Sequence, residues 1–187
     1  MTDRKILSLD MLLARLADHR RRLDRIVFSN GCFDLFHAGH LATLEAARSL
    51  GDVLVVAVNS DASVRRLKGP GRPIVPEQER ALILAGLECV SYVTIFEEDT
   101  PERLIAVFRP DVLVKSGKEN ASRVVGHEFV ESYGGRVVLT PVVSGLSTTG
   151  RLAGIAGKDR YERRGGEAVV RSTGLVPGWR RNWEGLA

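Results

Sequence analysis

The sequence predicts an α/β fold, a single doubly wound domain in which a five-stranded, mainly parallel sheet is covered by helices on both faces. Apolar runs of strand length alternate with amphipathic stretches of helical length along most of the chain. The run that opens VLVVAVNSD is unbroken, as expected of a strand buried on both faces. The length of 187 residues suits one ordinary domain with a tail.

The first part of the chain supplies an N-terminal helix and the first strand–helix–strand unit. The N-terminal helix is predicted to be anchored by four leucines, Leu12, Leu13, Leu16 and Leu23. RIVFSN is then predicted as the first strand, HLATLEAARSLG as a helix that stops at Gly51, and VLVVAVNSD as the second strand.

The rest of the central region repeats this alternation. PEQERALILAGL is predicted as a helix with Pro76 at its first position, and SYVTIF as the third strand. TPERLIAVF is predicted as a helix that Thr100 caps, with Pro101 at its first position. DVLVKSG, VVGHEFVESYGG and RVVLTP supply the fourth strand, a helix ended by glycines, and the fifth strand. A ligand is expected at the carboxyl ends of these strands, near the switch in strand order.

The chain is predicted to have three parts: an N-terminal helix at residues 1–24, a central domain at 25–157 and a C-terminal extension at 158–187. The extension is rich in glycine and arginine and has no clear hydrophobic period. Two interpretations of it stay open, a poorly ordered tail and an arm that docks on a partner subunit.

Composition limits the classes of function. With 44% hydrophobic and 27% charged residues, the chain is typical of a soluble globular protein, and no apolar run approaches the ~20 residues of a membrane span. The N-terminus lacks a signal-peptide pattern and two cysteines make no disulfide framework, so a cytoplasmic location is expected. The net charge of +4 suits anionic small substrates, and neither a nucleic acid nor a membrane is expected as a partner.

The most informative segment is SNGCFDLFHAGH, which joins the first strand to the next helix. Zinc could bind Cys32, His37 and His40, but no second ligand pair follows, so no metal site is predicted. Cys32 could be a nucleophile, although a small packed residue in a turn is the simpler interpretation. A phosphate cradle fits better, because Gly31 and Gly39 admit a ligand to the backbone and the helix directs its N–H groups there. The imidazoles of His37 and His40 can also donate hydrogen bonds to phosphate oxygens.

GCFDLFHAGH resembles the Gly-x-Phe-Asp-x-x-His-x-Gly-His signature of the cytidylyltransferase-like nucleotidyltransferases. The similarity covers about residues 25–155, and RLKGPGRP, FEEDTPERLI and SGLSTT resemble the branch that adenylates heptose 1-phosphate to make ADP-heptose. The resemblance implies a Rossmann-like fold. It also implies that an acceptor phosphate attacks the α-phosphorus of a nucleoside triphosphate directly and releases pyrophosphate.

The resemblance assigns roles to individual residues. His37 and His40 fall on the two motif histidines and are predicted to be catalytic, as is Lys68, a cation that could close over the phosphates. The residues predicted to bind the nucleotide are Asn30, Gly31, Cys32, Phe33, Gly39, His40, Lys115, Ser147, Thr148 and Thr149. The last three stand at a plausible helix start, whose hydroxyl and N–H groups suit an anion.

The residues predicted to bind the acceptor are Asp34, Asn59, Asp61, Arg80, Lys118 and Glu119. Asp34 falls on the motif acid and could instead anchor the turn. Arg80 could reach the acceptor or pair with Glu77 or Glu79. Mg²⁺ is expected to arrive with the nucleoside triphosphate. A homodimer is expected because dimers are common in the resembling family.

One segment, directly after the fourth strand, departs from the family. The heptose branch typically has Lys-Gly-Gly-Asp-Tyr there, whereas this chain has Lys-Ser-Gly-Lys-Glu, so that Lys118 replaces an acid and Glu119 replaces an aromatic residue. The nucleotide base, the acceptor or both could therefore differ from those of the family.

Three alternatives stay open. The first is a cytidylyltransferase for glycerol 3-phosphate or another polyol phosphate, and the second is a nucleotide-binding regulatory protein without turnover. The histidine pair with Lys68 argues against the second. The third, a tRNA-binding domain, is disfavoured because no Lys-Met-Ser-Lys-Ser loop is present.

Overall fold

A computed structural model describes residues 2–117 and 120–141 of the chain. Five strands lie within this part: β1 (Ile26–Gly31), β2 (Val53–Asn59), β3 (Tyr92–Phe96), β4 (Val112–Ser116) and β5 (Arg136–Thr140). The α-helices described there are α1 (Leu9–Arg21), α2 (Ala38–Arg48), α3 (Asp61–Lys68), α4 (Glu77–Ala85), α5 (Glu102–Phe108) and α6 (His127–Ser132). Two short 3₁₀ helices, Thr2–Lys5 and Ala121–Arg123, complete the elements of the described residues.

The five strands form one sheet in the order β3-β2-β1-β4-β5, and every neighbouring pair is parallel. From β1 the chain winds outward to β3, then returns to the other side of β1 and winds outward again to β5. The predicted doubly wound α/β fold is therefore confirmed. The order switches between β1 and β4, where Ser29 pairs with Val114. Parallel sheets of this kind bind ligands beyond the carboxyl ends of the strands at such a switch.

The sheet separates two hydrophobic cores. All seven residues of β2 are buried, and successive side chains point to opposite faces, so Val55 belongs to one core and Val56 to the other. The Val55 face packs against α1, α5 and α6, whereas the Val56 face packs against α2 and α4. Each fully buried aliphatic side chain contributes about 1.5–3 kcal/mol to stability, so β2 fixes both layers of helices.

The N-terminal helix is shorter than predicted. Ser8 caps α1 by accepting a hydrogen bond from the Met11 amide. Leu12 and Leu16 are buried as predicted, but Leu23 is not an anchor, because it lies beyond the helix end with φ 63° and is 91% exposed.

Other helix boundaries also differ. Pro76 and Pro101 precede α4 and α5 as N-cap residues instead of occupying the first helical position, since their carbonyls accept from the amides of Arg80 and Ile105. Thr100 is consequently not the cap of α5. The helix α3 was not predicted, and the predicted second strand stops at Asn59, because Ser60 already caps α3.

Candidate active site

The carboxyl ends of β1 and β4 form the floor of the candidate site. Lys115, near the end of β4, donates from Nζ to the carbonyl of Asn30 on β1 at 3.3 Å. Burial lowers the pKa of Lys115 to about 8, so the ammonium group has lost much of its hydration and suits an incoming anion. This contact joins two predicted nucleotide-binding residues across the switch point.

The turn between β1 and α2 has a strained backbone. Phe33 and Leu35 adopt positive φ angles of 48° and 55°. A residue other than glycine in this region costs on the order of 1–3 kcal/mol and persists only where its surroundings hold it. The Phe33 ring also lies against Gly31, where a Cβ atom would stand 3.3 Å from Phe33 Cε2. The turn is therefore a tightly packed feature that depends on its neighbours.

Two histidines lie together at the start of α2. His37 is the N-cap residue, and its Nδ1 accepts a hydrogen bond from the His40 amide at 3.3 Å. That bond places the His37 proton on Nε2 in the neutral ring. The two imidazoles are stacked, with centroids 3.8 Å apart and planes inclined by 15°. The predicted catalytic pair is thus brought into direct contact at a helix N-terminus, which attracts anions.

His40 is held in its neutral form. Burial, and next the charge of His37, lower the pKa of His40 from 6.5 to about 4. Its ring packs against Phe33 and Phe36. His40 Nδ1 and Asn30 Oδ1 are both buried without a hydrogen-bond partner among the described residues. Since buried polar atoms normally have partners, these two atoms indicate a place where a ligand can complete the site.

Asp34 fastens the turn to the segment that leads into α4. Its carboxylate is buried and accepts hydrogen bonds from the amides of Ile74 and Val75 and from Arg72. Burial alone would raise the pKa of Asp34, but these hydrogen bonds outweigh burial and lower it. The anchoring interpretation of Asp34 is therefore the one that its contacts favour, and acceptor binding by Asp34 stays a prediction.

Arg80 lies beneath the site. Its fully buried side chain donates to the carbonyls of Val75, Cys32 and Asn59 and to the carboxylate of Asp61. The predicted pairing with Glu77 or Glu79 is wrong, because the side chain points inward from α4. Glu77 accepts from the Asp61 amide instead.

Cys32 and Asn59 meet at the carboxyl ends of the neighbouring strands β1 and β2. Cys32 Sγ lies 4.0 Å from Asn59 Oδ1, and the Asn59 amide group donates to Ser63 Oγ at 3.0 Å. Burial raises the pKa of Cys32, although nearby cations, first of all Lys68, oppose the effect. The thiol therefore stays protonated near neutral pH, which agrees with a packed residue better than with a nucleophile.

The remaining predicted residues are more distant or lie outside the described residues. Lys68 is the exposed last residue of α3 and not part of the following loop as predicted. Its charge opposes the rise in the pKa of Cys32, so its ammonium group lies within electrostatic range of the turn after β1. The predicted residues that lie outside the described part are Lys118, Glu119, Ser147, Thr148 and Thr149, as does the whole extension 158–187.

Two links in the site were not found from the sequence. Thr140 Oγ1 on β5 lies 3.3 Å from Thr43 Oγ1 on α2 and 3.4 Å from the Lys115 carbonyl oxygen, within hydrogen-bond distance of both. Ser63 supports the Asn59 side chain. Threonines and serines are too common for composition to mark these contacts, although Ser60 and Asp61 before a basic stretch were a usable helix-start signal for α3.

In residues 2–117 and 120–141, no group of three or more His, Cys, Asp or Glu side chains could hold a metal ion. Helices long and apolar enough to cross a membrane are also missing from that part of the chain. A cavity of about 380 Å³ opens at the carboxyl end of β3, beside Leu9 and Arg103, at the edge of the sheet and away from the switch point.

A parallel sheet of this order, with a histidine-bearing strand–helix turn at its switch point, defines a Rossmann-like α/β protein. The family model described as cytidylyltransferase-like matches residues 28–143, and the chain belongs to this family. The predicted relationship to the cytidylyltransferase-like nucleotidyltransferases is thereby confirmed.

Two relatives carry the name bifunctional protein HldE. The chain is 55% identical over 161 residues to the bifunctional protein HldE of Syntrophotalea carbinolica, covering 86% of the chain and 32% of that protein. It is 58% identical over 148 residues to the bifunctional protein HldE of Geotalea uraniireducens, covering 79% and 30%. The chain thus spans about a third of the length of these relatives.

Among solved structures, a lipopolysaccharide core biosynthesis protein from Thermoplasma volcanium superposes with a TM-score of 0.53 at 24% identity, covering 64% of this chain and 97% of that one. At this level of identity the likeness supports the fold alone.

Proposed function

We propose that the chain transfers a nucleotidyl group from a nucleoside triphosphate to a sugar phosphate and releases pyrophosphate, with ATP and heptose 1-phosphate as the favoured pair. The observation that carries the proposal is the stacked pair His37 and His40 at the N-terminus of α2, directly above the switch point of the sheet. Family membership supports the reaction class, and the segments that resemble the heptose branch support the substrates.

The reaction requires the protein to position the two substrates and to stabilise the negative charge that develops during the transfer. An oxygen of the acceptor phosphate forms a bond to the α-phosphorus, while the bond from that phosphorus to the bridging oxygen of the β-phosphate breaks and its electrons leave with pyrophosphate. Negative charge shifts between the α-phosphate and the leaving group during this step. Hydrogen-bond donors fixed in advance at such a place lower the barrier, because they need no reorganisation.

The described residues supply donors of this kind. His40 is neutral at pH 7, so its ring carries one N–H group that can donate a hydrogen bond. His37 carries its proton on Nε2, and the first amides of α2 add a partial positive charge. Lys115 approaches from β4 and Lys68 from the end of α3, and these two cations would neutralise triphosphate oxygens.

Magnesium would enter as part of the substrate. Mg²⁺ is proposed to be bound by the triphosphate, because this ion prefers oxygen ligands and is usually held through substrate phosphates and water. The bound ion would neutralise phosphate charge. A cytoplasmic location and a homodimer are also proposals. The first rests on the two cysteines, which make no disulfide framework, and the second rests on the family resemblance.

A pyrophosphate-release screen tests the proposed function. Four nucleoside triphosphates are each incubated with the full chain, Mg²⁺ and a panel that contains heptose 1-phosphate, other sugar 1-phosphates and glycerol 3-phosphate. Release with ATP and heptose 1-phosphate is the expected result. Preference for CTP and a polyol phosphate would favour a cytidylyltransferase. Nucleotide binding without release in any pair would favour the regulatory protein.

One test variant and one control variant accompany the screen. His40→Ala removes a proposed donor, whereas His127→Ala removes a histidine on α6, whose Nε2 lies 3.1 Å from Glu131. Only the first should slow release. Equal rates for the two variants would show that release does not depend on the candidate site.

A further inference from the structure

The largest fully buried side chain among the described residues is a cation. Arg80 lies on α4, which packs against β2 and β3, and its side chain is 0% exposed. A buried charge without partners would cost several kcal/mol, so an arginine is kept inside a protein only where its donors are satisfied. The position of its partners therefore shows what the residue holds together.

Three of the four partners are backbone carbonyls from separate segments. Nη1 donates to the carbonyl of Cys32 at 2.6 Å and to that of Asn59 at 2.8 Å. Nε donates to the carbonyl of Val75 at 2.8 Å, and Nη2 to Asp61 Oδ1 at 2.7 Å. Cys32 directly follows β1 and Asn59 ends β2, so one guanidinium group joins the carboxyl ends of these two neighbouring strands.

The turn that follows Cys32 needs such support. Phe33 and Leu35 both have positive φ angles, and the residue between them, Asp34, is held through its carboxylate by the amides of Ile74 and Val75. The strained turn is thus fixed at its start by Arg80 and in its middle by Asp34. Both residues also contact the segment that leads into α4: Asp34 through the amides of Ile74 and Val75, and Arg80 through the carbonyl of Val75.

We propose that Arg80 is a positioning residue, which fixes the turn that carries His37 and His40 by holding the Cys32 carbonyl, and which does not contact the acceptor. This inference rests on the proposed transferase function. Direct contact is disfavoured because the side chain is inaccessible and because Nε, Nη1 and Nη2 each already donate to a protein acceptor. Loss of Arg80 should therefore slow turnover and leave the affinity for the acceptor nearly unchanged.

Two substitutions test the proposal kinetically. Arg80→Met keeps the length of the side chain without any donor, whereas Arg80→Lys keeps the charge but cannot reach four acceptors with one ammonium group. A displacement of the reacting groups by about 1 Å costs about hundredfold in rate. We expect kcat to fall about hundredfold in Arg80→Met and about tenfold in Arg80→Lys, with the acceptor KM within about threefold of wild type.

The matched control is Arg20→Met. Arg20 also donates to backbone carbonyls, those of Phe108 and Arg109, but it joins α1 to the end of α5, which pack on the face of the sheet opposite α2 and α4. This variant should keep the wild-type kcat. Thermal unfolding of all variants shows which are folded, and Arg80→Lys decides the test if Arg80→Met does not fold.

A second measurement does not depend on turnover. The pKa of His40, about 4 in the packed turn, is followed by NMR titration of the imidazole resonances in the wild type and in Arg80→Lys. Among residues 2–117 and 120–141, the aromatic rings in contact with this imidazole are those of His37, Phe33 and Phe36. A loosened turn admits water, so the pKa of His40 should rise toward 6.5 in the variant.

The outcomes separate this proposal from the proposed function. A folded Arg80→Lys with wild-type kcat, or with an unchanged pKa of His40, overturns the positioning role. A raised acceptor KM at unchanged kcat also overturns it, in favour of direct contact. If the wild type turns over no substrate pair, the proposed function fails, and the titration of His40 still decides whether Arg80 fixes the turn.

Discussion

The neutral state of His40 should make the stability of the fold depend on pH in a way that one substitution removes. Burial, followed by the charge of His37, lowers the pKa of His40 from 6.5 to about 4. Between these values the unfolded chain binds a proton at this ring that the folded chain does not. The stability that His40 contributes is therefore complete above about pH 6.5 and is lost as the pH falls toward about 4.

The size of the effect follows from the same pKa. Each tenfold change in proton affinity corresponds to about 1.4 kcal/mol, so a fall of the pKa from 6.5 to about 4 sets an upper limit of about 3 kcal/mol. The ring is only partly buried, and solvent screening reduces this figure. We expect the wild type to lose roughly 1–2 kcal/mol between pH 7.5 and pH 4.5 through His40.

Urea unfolding at the two pH values measures this loss. His40→Phe keeps an aromatic ring between Phe33 and Phe36 but cannot be protonated, so its free energy of unfolding should fall by roughly 1–2 kcal/mol less than that of the wild type. His127→Gln controls for the loss of a histidine elsewhere and should behave as the wild type. The reasoning is refuted if His40→Phe and the wild type lose the same free energy.

Four further variants address the predicted site residues. His40→Ala should lower kcat about 10²–10³-fold with nucleotide affinity nearly unchanged, because loss of one donor to developing charge costs about 2.7–4 kcal/mol; turnover within about threefold of wild type would contradict this. Cys32→Ser should stay active in the same assay, and a folded but inactive protein would reopen a thiol mechanism. Nucleotide affinity, measured by calorimetry from pH 7 to pH 9, should fall above about pH 8 as Lys115 loses its proton, and Lys115→Met should abolish that dependence. Lys118→Asp combined with Glu119→Tyr should change the order of kcat/KM across the substrate panel, and an unchanged order would mean that these residues do not set specificity.

The fold was predictable where burial dominates the sequence pattern. The strands were located to within one or two residues because a strand covered on both faces must be an apolar run, as in β2. The helix α3 was missed because most of it is exposed, and only Ser63 and Val64 are buried, so it carries no apolar stripe. Leu23 was misjudged because spacing alone does not reveal that the helix ends at Arg21.

The candidate site was predictable only in its local part. The stretch from Gly31 to His40 contains its own turn residues, helix start and imidazoles, and these lie close together in any fold that forms the turn. The support beneath it joins Arg80 to Cys32 and Arg72 to Asp34, pairs that are 48 and 38 residues apart in the chain. Such contacts depend on tertiary packing, and a single sequence holds no pattern that marks them.

The segment before α1 has a consequence for handling the protein. β3 is an edge of the sheet, and an uncovered edge offers backbone groups to which another chain can add a strand. Ile6 forms a parallel bridge with Val93, and the Leu7 amide donates to the Val93 carbonyl at 2.9 Å, while Lys5 Nζ binds the carbonyls of Leu87 and Val90. A shortened protein that starts after Leu7 would expose the edge of β3 and would be expected to aggregate through this strand. An affinity tag placed ahead of Thr2 would leave residues 5–7 in place against β3.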